Sequence, residues 1–133
     1  MTKSKAKSKT KKINTLYSDG GCKGNPGPMR IAIYDCQYKE NNLIKEVGVG
    51  TCNIAEYLGI RQAINIVRHK YKNTDKIIIY TDSRLVEGHL NRNWKIKTNV
   101  ELVTEVKDLY NQFENIRVNW VNREKNLAGH MLE

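Results

Sequence analysis

Residues 76–83 read Lys76-Ile77-Ile78-Ile79-Tyr80-Thr81-Asp82-Ser83, and three consecutive isoleucines in so short a run are the signature of a strand covered on both faces. A strand with one face in water alternates apolar and polar residues, which this one does not. Such a strand belongs inside a sheet with helices laid over it. It ends at Thr81-Asp82-Ser83, residues that favour turns and caps, and residues 84–90 follow as a short helix.

Upstream, Ala55, Leu58, Ile60, Ala63, Ile64 and Val67 recur at roughly helical spacing and predict a helix running to His69, with Asn53 as its cap. Residues 30–37 and 43–51 read as two strands around the polar turn Glu40-Asn41-Asn42. Residues 13–18 form a first strand that Asp19-Gly20-Gly21 stops with turn chemistry. Downstream, residues 91–98 form a connection, and Leu102, Val103, Val106, Leu109, Tyr110 and Phe113 make an apolar stripe on a helix over residues 100–113. Residues 116–121 are a last strand, 122–125 a loop and 126–133 the start of a final helix. The order βββαβααβα predicts an α/β fold: a mixed five-stranded sheet flanked by helices, with an antiparallel meander first and crossovers that set later strands parallel to the first.

The chain of 133 residues is the size of one domain. Its formal charge of +9 is unevenly placed, because residues 1–12 hold six lysines and no acid. That segment cannot bury enough apolar area to offset its ordering entropy, and it reads as a disordered basic tail ahead of a domain over residues 13–133. A phosphate-binding arm and a merely solubilising terminus are both open readings of it. No apolar run approaches the length of a membrane span, and no secretory signal is legible. Cys22, Cys36 and Cys52, spaced by 14 and 16, match neither a zinc pattern nor a redox pair, which points to reduced thiols and a cytoplasmic setting.

Three acids stand at topologically meaningful places: Asp19 after strand one, Glu56 in the first turn of the long helix, and Asp82 after the isoleucine strand. With strands one and four parallel neighbours, their carboxyl ends open on one crevice, where folds of this type place ligands. Three converging carboxylates repel one another and persist where they bind hard cations such as Mg²⁺ or Mn²⁺. Each acid also has an ordinary explanation as turn former, helix-dipole partner or cap.

The flanking residues carry a resemblance. Tyr17-Ser18-Asp19-Gly20-Gly21-Cys22-Lys23-Gly24-Asn25-Pro26-Gly27-Pro28 closely resembles the first motif of type 1 ribonucleases H. Thr51-Cys52-Asn53-Ile54-Ala55-Glu56 resembles the second, Tyr80-Thr81-Asp82-Ser83 with Leu85-Val86 the third, and Trp120-Val121-Asn122-Arg123-Glu124-Lys125-Asn126 the fourth. The resemblance implies an RNase H-like fold and endonucleolytic hydrolysis of the RNA strand of RNA–DNA hybrids, leaving 5′-phosphate and 3′-hydroxyl ends. It implies two divalent ions, Mg²⁺ or Mn²⁺, held by Asp19, Glu56 and Asp82. A monomer is the separate expectation for the chain. It further implies that Gly20, Gly21, Asn25 and Asn53 grip the hybrid, with Ser83 beside them. Strand selection reads the 2′-hydroxyl, so small backbone groups and short amides suit the shallow minor groove.

One position departs from the family pattern. Four residues after Asn126 the family usually carries a fourth acid, and here stands His130. An imidazole suits Mn²⁺ better than Mg²⁺ and can move protons, so His130 is expected to assist as a catalytic and metal-binding residue with a Mn²⁺ preference. A plain surface position for His130 is the alternative, and with it a hybrid-binding module of impaired catalysis. A nuclease domain detached from a reverse transcriptase is a third reading, with the same chemistry. Trp94 and Lys95, within Asn91-Arg92-Asn93-Trp94-Lys95-Ile96-Lys97, interleave an aromatic with cations and are candidate nucleic-acid contacts, unless Trp94 simply anchors its loop.

Overall fold

The isoleucine strand lies inside the sheet, as its composition demands. The computed structural model describes residues 12–133, so the predicted basic tail falls outside the described residues except for Lys12. Five strands, β1 (Ile13–Cys22), β2 (Gly27–Asp35), β3 (Leu43–Gly50), β4 (Lys76–Thr81) and β5 (Ile116–Trp120), alternate with four α-helices, α1 (Cys52–Lys70), α2 (Arg84–Asn91), α3 (Val100–Asn111) and α4 (Leu127–Leu132). The sheet order is β3-β2-β1-β4-β5. The β1/β2 and β2/β3 pairs are antiparallel, while β1/β4 and β4/β5 are parallel, giving the mixed sheet expected of the element order.

Alternation along the strands divides the sheet into two faces. Leu16 on β1, Ile33 on β2, Ile77 and Ile79 on β4 and Val118 on β5 are buried in one core with Ile60, Ile64, Val86, Val103 and Val106 of α1, α2 and α3. The opposite face is only partly roofed: α4 packs on β1 and β2, whereas Ile78 and Tyr80 are half-buried and the Tyr80 ring stacks on Tyr17. The expectation that β4 is enclosed on both faces is therefore corrected, because the six-residue α4 is too short to cover the whole second face.

Several boundaries also differ from the sequence reading. Asp19-Gly20-Gly21 does not stop β1; the strand continues to Cys22 because Gly20, Gly21 and Cys22 pair with Ile31, Arg30 and Met29 of β2. Gly20 instead lets α1 pack closely on β1, since a Cβ there would lie 2.3 Å from the Ala55 carbonyl oxygen of α1. Strand β2 correspondingly begins at Gly27. The cap of α1 is Thr51, whose Oγ1 accepts from the Ile54 N–H at 3.2 Å, and Asn53 lies exposed inside the first turn. Helix α3 ends at Asn111 rather than Phe113.

The cysteines require a correction too. Cys22 at the end of β1 and Cys52 at the start of α1 are joined in a disulfide across 30 residues of sequence, leaving Cys36 free. Spacing alone hides a pair that the fold brings together, and the cysteine count is no argument for a reducing compartment. Among the described residues no helix is long and apolar enough to cross a membrane.

Candidate active site

Side-by-side parallel pairing of β1 and β4 matches Tyr17 with Tyr80. Two residues on from each come Asp19, within β1, and Asp82, just past the end of β4, so the register itself brings the two carboxylates together. Glu56 reaches the same point from the first turns of α1, which packs closely on β1 at Gly20. One carboxylate oxygen from each of Asp19, Glu56 and Asp82 lies within 4.8 Å of the others.

Electrostatics make this cluster costly without a counter-charge. Burial, and then the charge of Asp82, push the Asp19 carboxyl up to about 6; the Gly20 N–H and the Arg123 guanidinium act against that rise. Burial raises Glu56 well above the ordinary range, with Asp19 and Asp82 adding repulsion, again opposed by the Gly20 N–H and Arg123. The Gly20 N–H donates to Glu56 Oε1 at 3.2 Å and fixes one of its oxygens. A set of oxygen donors this close, in a partly dry setting, is chemically suited to hard divalent cations.

Asn126 braces the cluster from below. Wholly buried, its Nδ2 donates to the Ser18 carbonyl at 3.1 Å and to Asp82 Oδ2 at 3.2 Å. Its Oδ1 accepts from the N–H groups of Ala128 and Gly129, capping α4. Trp120 Nε1 donates to the Asp82 carbonyl at 3.3 Å, and the Arg84 guanidinium lies 3.8 Å above the Trp120 ring. Asn126 closes the fourth motif quoted above, but nothing in that string announces a bond to a carboxylate 44 residues away.

A cavity of about 460 Å³ opens beside the acids, with Asp19, Gly21, Glu56, Arg123, Gly129 and Glu133 in its wall. Gly21 is open, with nothing within 4 Å of where a Cβ would stand, whereas Gly20 is committed to packing against α1. Asn25 is exposed and its Oδ1 accepts from the Cys52 N–H at 3.2 Å, at the start of the helix that carries Asn53; neither asparagine is part of the cavity wall. Ser83 is occupied as the cap of α2, accepting from the Val86 N–H at 3.1 Å.

The remaining candidates are not gathered here. His130 is exposed on α4 and is not one of the clustered ligands. Trp94 packs over Gly88 of α2, where a Cβ would come within 2.1 Å of its ring, yet it stays 45% exposed, and Lys95 is exposed next to it.

Comparison with known proteins agrees with this geometry. The family model described as RNase H matches residues 11–130. The chain belongs to the RNase H family. A ribonuclease H of Francisella philomiragia is 30% identical over 135 residues, covering 91% of this chain and 86% of that protein. The bifunctional protein Rv2228c of Mycobacterium tuberculosis is 30% identical over 123 residues, covering 88% of this chain and 33% of its own length, so the chain spans about a third of that mycobacterial relative. Among solved structures, RNase H1 LC11, isolated from compost and crystallised in complex with an RNA/DNA hybrid, superposes with a TM-score of 0.74 at 24% identity, covering 90% of this chain and 92% of that one. The RNase H fold thus has the mixed sheet, the element order and the flanking helices described above.

Proposed function

We propose that this chain is a ribonuclease H that cuts the RNA strand of RNA–DNA hybrids internally, leaving 5′-phosphate and 3′-hydroxyl ends, and that it does so as a monomer. The observation that carries the reading is the convergence of Asp19, Glu56 and Asp82 within 4.8 Å at the crevice between β1 and β4. Family membership supports the same conclusion. All three acids come from one chain, so no second copy is needed to complete the cluster.

Asp19, Glu56 and Asp82 would hold two divalent ions, Mg²⁺ or Mn²⁺, which supply activation of the attacking water and charge neutralisation at the leaving oxygen. The chain's own residues provide the rest. Asn126 holds Asp82 in place and the Gly20 N–H holds Glu56, so two of the acids are oriented before substrate arrives. Arg123 lies in the cavity wall next to them, a cation suited to a phosphate oxygen. Gly21, open where a Cβ would stand, and the exposed amides of Asn25 and Asn53 are assigned to contact with 2′-hydroxyls in a shallow minor groove. The lysines of residues 1–12 are assigned to backbone phosphates. With the cysteine argument gone, a cytoplasmic setting rests on the nucleic-acid substrate alone.

The test is strand discrimination. With end-labelled RNA in a hybrid, the reading expects internal cuts and 5′-phosphate termini, and no cutting of duplex DNA, duplex RNA or free RNA. Equal cutting of free RNA would remove it. The alternative, a hybrid-binding module of impaired catalysis, draws on the exposure of His130 and expects tight binding without products.

A further inference from the structure

We infer that Arg30 holds a backbone phosphate of the RNA strand next to the one that is cut, so that this strand runs from the three acids over Gly21 onto β2; this rests on the reading of the chain as a ribonuclease H. The placement follows from strand register. Asp19 and Gly21 share one face of β1, and Gly21 pairs with Arg30 of β2. Arg30 is thus the diagonal cross-strand neighbour of Asp19, a separation of roughly 7–8 Å. Between them Gly21 carries no side chain, and nothing lies within 4 Å of where its Cβ would stand. Asp19 and Arg30 therefore project from the same face with an open floor between them.

Two cavities meet at Arg30. The one beside the acids, about 460 Å³, and a second of about 520 Å³ that reaches Gly48 and Val49 of β3 share Lys23, Pro28 and Arg30 in their walls. Together they form a groove leading away from the acids. The strand that meets the acids is the strand that is cut, and a groove continuous with them receives that same strand.

Arg30 keeps an unpaired charge in this groove. One donor, Nη2, goes to the Leu132 carbonyl at 2.8 Å and fixes the half-buried side chain against the end of α4. A guanidinium has five donors, set in a fork that matches phosphate oxygens. Among the described residues Arg30 forms no ion pair, not even with Glu46, its register partner on β3. Arg123 acts on the charges of Asp19 and Glu56, whereas Arg30 is not among the groups that act on either. The two arginines divide the strand accordingly: Arg123 serves the acids and the phosphate they cut, and Arg30, with exposed Lys23 beside it, serves the neighbouring one.

Fluorescence anisotropy of a labelled hybrid in EDTA reads binding without turnover. Each phosphate neutralised by a protein cation contributes roughly 0.7–0.9 to the slope of log affinity against log salt. Arg30→Gln is expected to weaken hybrid binding several-fold and to flatten the slope by about one such contact, while Arg30→Lys, which keeps the charge, retains the slope. Uncharged methylphosphonate linkages in the RNA strand should erase the difference between wild type and Arg30→Gln, and the same linkages in the DNA strand should preserve it. An unchanged slope in Arg30→Gln overturns the proposal. So does a slope lost equally in Arg30→Lys, which assigns Arg30 to holding α4 alone, or a difference erased from the DNA strand instead. In each of these cases the three-acid site stands. Wild-type protein that binds hybrid no more tightly than duplex DNA, and leaves it uncut with Mg²⁺ or Mn²⁺, overturns the ribonuclease reading and this proposal with it.

Discussion

Asn126 Nδ2 stands 3.2 Å from Asp82 Oδ2 and at the same time 3.1 Å from the carbonyl of Ser18, so one buried amide ties the end of β4 to β1 next to Asp19. Asn126→Ala removes these bonds and the cap of α4 together. Loss of a buried hydrogen-bonded group and of a cap is expected to cost about 2–3 kcal/mol in denaturant unfolding. Hybrid cleavage should fall by about 10- to 100-fold as Asp82 loses its brace. Full activity in this variant would show that Asp82 is positioned by something else.

The mutual repulsion of the acids makes a pH prediction. Asp19 has its carboxyl raised to about 6 in the fold, above its ordinary 3.8, chiefly by burial and then by Asp82. The fold thus favours the protonated form. Its contribution is intact below about pH 4, declines as the unfolded chain ionises first, and is lost once pH has risen through about 6. Metal-free Asp19→Asn should therefore be more stable than wild type at pH 7–8, by on the order of 2 kcal/mol, and the difference should vanish near pH 4. Added Mg²⁺ should raise the unfolding temperature of wild type and not of the variant. Thermal unfolding across pH, with and without cation, reads both.

Two adjacent glycines are expected to answer differently. At Gly20 an added methyl meets the Ala55 carbonyl oxygen at 2.3 Å and must force β1 from α1, so Gly20→Ala should destabilise by about 1–3 kcal/mol. At Gly21 nothing stands within 4 Å. Gly21→Leu should fold normally and bind hybrid several-fold more weakly, as measured by fluorescence anisotropy; unchanged affinity would remove Gly21 from the substrate surface.

The Cys22–Cys52 bridge closes a loop of 30 residues next to the acids. By the loop-entropy relation a bridge of that span stabilises by about 3.6 kcal/mol, or roughly 13 °C for a chain of this size. Reductant, or the Cys22→Ser/Cys52→Ser pair, should lower the unfolding temperature of oxidised protein by that order. A thiol titration giving three free cysteines without reductant would contradict the bridge.

What was legible in the sequence follows from how local each signal is. The Ile77-Ile78-Ile79 run marks a central strand, although only Ile77 and Ile79 are buried, and the spacing of Ala55 to Val67 marks a packed helix; with them the order of elements and the parallel β1/β4 pairing followed. Asp19, Glu56 and Asp82 could be placed because each marks the end or start of such an element. Features that exist only through long-range contact were not legible. Gly20 reads as a turn residue until α1 is seen against it, and Cys22 and Cys52 read as unrelated thiols until β1 and α1 meet. His130 was singled out by its position after Asn126, yet which side of a helix faces the site is decided by packing, and packing turned Gly129 there instead.

The central claim is that three carboxylates form a cation site that cuts RNA. Its most direct measurement is cleavage of a labelled hybrid in Mg²⁺, in Mn²⁺ and in EDTA, by wild type and by Asp82→Asn. Cleavage with either cation, none in EDTA, and a rate at least about a hundredfold lower in Asp82→Asn is the expected result, since such sites supply several kcal/mol of transition-state stabilisation. Cutting that continues undiminished in EDTA, or in Asp82→Asn, would contradict it.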